Sequence, residues 1–510
     1  VGGQNMKKII ALSLVAATAM AFGSTESDLA ALKAEINALK KEVAALKAGG
    51  GDAKVGKEIT KLKKGLSEVK SMAGNDNIKW SVDFRTAVDG LNYKMASGAT
   101  KSNDSLMSSR LWLNMAYAPD THNIFKGQLS YNKAFGADFG GNGTGAMPRG
   151  WGMDTFDWVT NESLTDNGLK VRQAYWLYMG DTAFGADMPW TLSVGRRPST
   201  NGFLVNLRDD DKFQSPLGHI INVEFDGASA GINLGKVTGI PGMHFKLCLG
   251  QGSTSANPMF ASSTSYTDDE NNIDDIRLAG FIFTPFDNGQ YIVKTTAFKS
   301  WDLPGYDASQ MGLLLDGDPA TNPSVMSQAG DMYGAAISVL VNGLSDFGYL
   351  SDVKLFGSVA MSRTAPKAGE YMLGMPTPGG VVGANAGEAK TGYSYWFGVN
   401  LPVFEKGTLG VEYNHGSQYW RPFDYGEDTM VGSKLAARGD AWEAYYTHQI
   451  TDALSAQLRY TYIDYDYTGS NNFFGADGVP LTMEQAVAFG MGDMVVDKAQ
   501  DIRFYVRYKF

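Results

Sequence analysis

Cysteine occurs once in the 510 residues, at Cys248, so no internal disulfide is available. The lone thiol reads as an inert strand residue. Histidine is nearly as scarce, and His122, His219, His244, His415 and His448 are scattered without ligand spacing. No Ser-His-Asp order, glycine-rich phosphate loop or CxxCH haem motif occurs, so the reading is non-enzymatic, with no cofactor and no bound metal. Beyond the N-terminus no run of 18 apolar residues exists, which excludes a helical membrane span. Charged residues are only 19% and the net charge is −10, which excludes a strongly basic nucleic-acid binder.

Glycine (61 residues) and aromatics (12%) are abundant, in short repeated runs with asparagine, as a chain of many strands and turns requires. The N-terminus is different. Met6 to about Gly23 carries Lys7 and Lys8, an apolar stretch over Ile9–Ala17 and a small-residue site at Ala19-Met20-Ala21 or Ala21-Phe22-Gly23. It reads as a secretory signal, with Val1–Asn5 preceding the expected start. Loss of Lys7 and Lys8 with this leader takes the net charge to −12. No cysteine lies at the cleavage site, so a lipid anchor is not expected.

Residues 24–73 then have a heptad pattern. Leu29, Leu32, Ile36, Leu39, Val43 and Leu46 form an a/d seam. Glu35 and Glu42 sit at g, placed to meet Lys40 and Lys47 at e of a parallel partner. Gly49-Gly50-Gly51 interrupts it, and a second seam follows at Val55, Ile59, Leu62, Leu66 and Val69. A parallel coiled coil is the expectation, and a hairpin or peptidoglycan-contacting stalk the alternative. The ten lysines against seven acids over Thr25–Met72 suit an acidic polymer or simply a solvated face.

From residue 74 the period falls to two. The last ten residues, DIRFYVRYKF, show it most clearly: Ile502, Phe504, Val506, Tyr508 and Phe510 fall on one face, Asp501, Arg503, Tyr505, Arg507 and Lys509 on the other. Ten residues suffice for a tilted strand to cross a bilayer. A membrane protein without spanning helices must be a closed barrel, because every amide in lipid needs a partner. Sixteen antiparallel strands are predicted near 78–94, 105–118, 123–134, 167–180, 189–197, 219–235, 242–250, 275–286, 290–301, 331–343, 350–363, 391–403, 407–416, 439–450, 453–466 and 499–510. The even number requires 219–235 to be one strand, with a bulge at Asp226-Gly227 reconciling Ile221, Val223 and Phe225 with the opposite phase of Ala228, Ala230, Ile232 and Leu234. On 167–180, Val171, Tyr175, Leu177 and Met179 are expected on the lipid face.

Long polar connections alternate with short turns, as when loops face outward and turns the periplasm. The third long connection, 198–218, carries Arg208, Asp209, Asp210, Asp211 and Lys212, expected to fold inward as a constriction. Alternation puts Arg85, Arg110, Lys170, Arg172, Arg197, Arg459, Arg503 and Arg507 on the lumen face as a basic arc, tempered by Asp83, Glu224, Glu412 and Glu443. A transverse field between arc and acidic trio is one expectation. A salt-bridge network filling the barrel, or an external trio binding divalent cations, is the other.

DIRFYVRYKF resembles the insertion signal of bacterial outer-membrane barrels, with Phe504, Val506, Tyr508 and Phe510 as its outward face. The signal, coiled coil and barrel together resemble phosphate-selective-type and other trimeric porins with periplasmic stalks. LSVGRRPSTNGFLVNLRDDDKFQSPLG (192–218), continuing through FDGASAGINLG, resembles a poorly characterised proteobacterial outer-membrane barrel family. The resemblance implies an all-β transmembrane barrel over 74–510, contacts with outer-membrane lipid, lipopolysaccharide and the barrel-assembly machinery, and a homo-oligomer, a trimer being favoured. The Asp209–Asp211 run departs from an anion-selective pattern, so phosphate specificity is not implied. The expected function is passive passage of small hydrophilic solutes or ions across the outer membrane. The rivals are a loop-plugged barrel tethering the membrane to peptidoglycan or a periplasmic partner, the sheath of an electron conduit, and a barrel enzyme.

Overall fold

The computed structural model describes residues 78–136, 168–197, 199–260, 264–269, 274–315, 318, 320–321, 326–425, 427–470 and 472–510. The leader and both heptad seams lie outside the described residues. Trp80–Ala116 and Thr121–Phe510 make up one compact unit, to which the barrel belongs.

Sixteen strands run in chain order: β1 Lys79–Met95, β2 Thr100–Tyr117, β3 Asn123–Ala134, β4 Lys170–Gly180, β5 Trp190–Arg197, β6 Phe225–Asn233, β7 His244–Gln251, β8 Arg277–Asp287, β9 Tyr291–Tyr306, β10 Ser327–Asn342, β11 Lys354–Pro366, β12 Thr391–Val403, β13 Gly407–Gly416, β14 Gly439–Gln449, β15 Leu454–Tyr465 and β16 Val496–Lys509. Each pairs antiparallel with its neighbours, and β16 pairs with both β15 and β1, so the sheet closes. Closure leaves no unpaired edge to meet lipid.

The terminal strand shows why the sequence folds this way. Ile502, Phe504, Val506 and Tyr508 are 57%, 46%, 37% and 46% exposed, while Asp501, Arg503, Tyr505 and Arg507 are 3% or less. The same outward apolar face continues through Phe84, Trp176, Leu247, Val359, Phe397, Trp442 and Leu458. These side chains face the acyl chains, which accept apolar surface without the cost that water would impose.

Two expected features are corrected. Segment 219–224 is not the start of a bulged strand. β6 begins at Phe225, and its register with β5 and β7 runs unbroken through Asp226 and Gly227. His219–Glu224 instead lie buried inside the barrel, where Ile221 bridges Phe423. The total of sixteen stands because the segment was counted within one strand. In β4 the bulge lies at Arg172: Gln128 faces Gln173 and Leu129 faces Val171, leaving Arg172 extra. Its extra residue reverses the phase, so Tyr175 is buried on the lumen side and Trp176 faces outward.

Three connections fill the lumen: 199–224 after β5, 417–438 after β13, and 466–495 after β15. The last is not merely polar, since Phe473, Phe474, Val479 and Leu481 are buried and a capping box of Thr482 and Gln485 starts a helix at Met483–Ala488. Apolar lumen side chains of β8–β11, among them Leu278, Ile282, Phe298, Met332 and Ala360, pack on Leu217, Ile220, Trp420, Phe423 and Phe474 of these connections. Phe203, Leu204, Val205 and Leu207 pack on Ile292, Leu340, Phe356 and Trp396 of the wall.

Candidate functional site: loops against the barrel wall

The third connection runs inside the barrel with its charged tip against β16. Asp209 accepts a hydrogen bond from the Tyr505 hydroxyl (2.7 Å), and Arg507 donates to the Asp209 carbonyl (3.0 Å). Arg507 also pairs with Asp211 at 2.8 Å and with Asp83 of β1, while Lys509 reaches Asp211 at 2.5 Å. Asp210 points away, exposed, with Lys354 at 3.7 Å, and Lys212 is exposed. Two of the acidic trio therefore touch the basic arc directly. Burial alone would raise the Asp209 carboxyl, but Arg208, Arg507 and Arg85 outweigh it and hold it well below the usual carboxylate range.

Arg208 turns the other way, to Glu427 (3.2 Å) and Glu443 (3.4 Å). Lys434 bonds Glu412 (2.6 Å) and Glu443 (2.5 Å). Glu427 also accepts from Ser433 (2.8 Å) and the Leu435 amide (3.2 Å). His219 spans Ser358 (2.8 Å) and Ser394 (2.9 Å), holding the third connection to β11 and β12.

Asp428 is the hub of this network. Arg85 donates to both of its oxygens, Arg503 to one at 3.0 Å, and Arg110 stands at 3.5 Å. Arg459 donates to its backbone carbonyl at 2.8 Å. One aspartate thus joins β1, β2, β15 and β16, the strands on either side of the closure. Burial disfavours its charge, yet the guanidinium groups of Arg85 and Arg503 hold its carboxyl well below the usual range. The seam arginines have wall partners too: Arg503 meets Asp89 at 2.5 Å and Arg110 lies 3.8 Å from Asp83. The arginines at the closure are therefore compensated at contact distance.

Arg172, buried at the β4 bulge, donates to Gln128 (2.9 Å) and Thr200 (2.7 Å) and lies 3.7 Å from Glu224. Lys170 is half-buried at the first residue of β4. Elsewhere the polar wall is covered by the connections: Asp89, Ser130, Ser300, Ser338, Asn414, Thr461 and Arg459 are buried, although an open aqueous lumen would expose them.

The short strands β5–β7 differ. His244, Lys246 and Cys248 alternate inward on β7 and stay half-buried. Gly195, at φ 126°, interrupts the regular strand conformation of β5, and the two arginines after it both reach inward partners. Arg196 meets Glu224 at 2.6 Å. Arg197 donates to Ser229 at 3.0 Å and covers the Tyr175 ring at 4.7 Å. Lys246 donates to Ser215 at 2.5 Å, and Lys294 lies over the Phe213 ring at 4.2 Å. Among the described residues, Arg197, Lys246 and Lys294 form no ion pair. Among the described residues, Arg421 and Arg438 of the 417–438 connection also lack a carboxylate and donate to carbonyl groups instead, whereas Arg197, Lys246 and Lys294 lie on β5, β7 and β9, away from the closure.

Sequence reasoning named Arg197 but missed Lys246, Lys294, Asp428, Glu427 and Lys434. Lys246 had a signal, lying between outward Phe245 and Leu247. Asp428 had none, because its partner Arg85 is 343 residues away.

A closed sixteen-stranded membrane barrel with loops bonded into its lumen is the class that this geometry defines. Residues 100–510 match the family described as "Protein of unknown function (DUF3373)", and the chain belongs to that family. No curated protein matches. Similar solved structures include an anion-selective porin from Comamonas acidovorans (11% identity, 85% of this chain and 99% of that chain, TM-score 0.44). The high-pH structure of Pseudomonas putida OprB is similar over 85% of this chain and 94% of its own (12% identity, TM-score 0.42). Salmonella typhi OmpF in complex with daunomycin is similar over 84% of this chain and 97% of its own (12% identity, TM-score 0.40).

Proposed function

We propose that this protein is an outer-membrane channel of the porin kind, passing small hydrophilic solutes or ions passively and constricted at rest by its own connections. The observation that carries this reading is the contrast between walls. The polar lumen face is buried over most of the barrel, but the inward side chains of β7 stay half-buried, and Arg197 of β5 and Lys246 of β7 stand there without a carboxylate. That is the wall along which a narrow wet lane would run. The Arg208–Lys212 tip and the Arg85, Arg110, Arg459, Arg503 and Arg507 wall then serve to hold the constriction shut rather than to span an open gap.

The second reading, a loop-plugged structural barrel, is favoured by the number of buried ion pairs that fix 417–438. Planar-bilayer recording separates the two: the channel gives small discrete conductance steps, and a plug gives none under any applied voltage. If the third connection borders the path, replacing Asp209 and Asp211 with Asn shifts reversal potentials toward anion preference. A sheath around a haem protein would require all three connections to leave the lumen. Trimeric assembly, contact with peptidoglycan through 24–73, and insertion by the assembly machinery through Phe504, Val506, Tyr508 and Phe510 belong to the same proposal.

A further inference from the structure

Between strands β5–β9 and the third connection lies a partly open cavity of about 70 Å³ whose lining combines two kinds of surface. Its lining includes Arg197 and Lys246 with the hydroxyls of Ser215 and Ser229, and also Ile221, Phe225 and Phe298. Arg197 spends one guanidinium nitrogen on Ser229, and its Nε has no protein partner. Lys246 donates to the Ser215 hydroxyl and, among the described residues, has no carboxylate within ion-pair distance. Two cations held in a half-buried wall without a counter-charge are costly unless a mobile anion shares the site. The planar guanidinium suits a carboxylate, which it can hold through two parallel hydrogen bonds while the ammonium supplies a point charge.

We infer that this cavity is a binding site for a short-chain organic carboxylate, its head between Arg197 and Lys246 and its apolar body against Phe225 and Phe298. At ~10–15 Å³ for each water-sized occupant, the space admits about five to seven heavy atoms. The apolar part of the lining distinguishes such a ligand from a simple tetrahedral oxyanion, which would leave Ile221, Phe225 and Phe298 without a complement. The site deepens the channel reading, because it would place a weak, charge-selective station on the wet lane. A station that must also release its solute binds weakly.

The test uses the full chain in detergent, with sodium butyrate as probe and sodium phosphate as comparison, followed by ligand-observed NMR and isothermal titration. Butyrate is expected to bind saturably and at least tenfold more tightly than phosphate. R197Q and K246Q are each expected to weaken it at least tenfold, while D452N, in the exposed turn between β14 and β15 and outside the cavity lining, leaves it unchanged. Equal binding of phosphate and butyrate, or butyrate binding indifferent to both substitutions, would overturn the assignment. F298A is the second arm: it is expected to weaken butyrate while sparing any phosphate binding, and unchanged butyrate affinity refutes the apolar half. Binding is read without flux, so a silent bilayer with intact butyrate binding defeats the channel alone. Conductance without butyrate binding defeats this site alone.

Discussion

Replacing Asp428 with Asn tests the hub of the lumen network. Asparagine keeps the shape and one acceptor oxygen but removes the charge that Arg85, Arg503 and Arg110 share. Breaking a buried ion pair by removing one partner costs about 3–5 kcal/mol. The retained acceptor and the second partners of Arg503 and Arg110, Asp89 and Asp83, favour the lower end. About 3 kcal/mol is roughly a hundredfold in the equilibrium between docked and released 417–438. Lys434 and Arg438 are buried inside this segment and inaccessible to trypsin while it is docked. Cleavage of a transiently opened segment follows the open population when closing is faster than cutting. Trypsin added to folded D428N should therefore cut after Lys434 and Arg438 roughly a hundredfold faster than the parent, with channel open probability rising in parallel. Heat-modifiable migration on gels checks that the barrel itself remains closed. D210N is the control, since the exposed Asp210–Lys354 contact at 3.7 Å is worth under ~1 kcal/mol. A cleavage rate for D428N within threefold of the parent would sink the latch.

Two further outcomes follow from the other connection and from the lipid face. Burial pushes the Asp477 carboxyl up to about 6, despite hydrogen bonds from the Phe473 amide and Asn472. A folded value above the unfolded one makes docking of 466–495 strongest below pH ~4 and weaker as pH rises through 6, a loss of about 3 kcal/mol. Amide exchange over 472–481, corrected for intrinsic rates, should quicken between pH 5 and pH 8 and become level in D477N; equal protection at both pH values contradicts it. On the outer face, Leu458 is exposed opposite Phe504. L458K should cost about 2–4 kcal/mol in urea titrations from lipid vesicles, and an unchanged midpoint would remove this residue from the hydrocarbon zone.

The alternation of DIRFYVRYKF was legible because its two faces meet different media, lipid outside and a charged network inside. The same logic explains where reading failed. His219–Glu224 are buried on both faces, so the strand-like spacing of Ile221, Val223 and Phe225 carried no information about a membrane face. On β9 the lumen side itself includes apolar Ile292 and Phe298, which hid Lys294 among them. The Arg172 bulge follows from pairing with β3 and is invisible in β4 alone. Charge was the least legible property. Arg85, Arg503 and Arg507 lie buried on their strands, and whether that face acts as a basic wall depends on Asp83, Asp89, Asp211 and Asp428, brought to it by closure and by inward folding. Lumen electrostatics in such a barrel depend on what remains unpaired after the loops dock, and beside Arg421 and Arg438 of the 417–438 connection that residue of charge includes Arg197, Lys246 and Lys294, on strands far in sequence from the arginine-rich terminus.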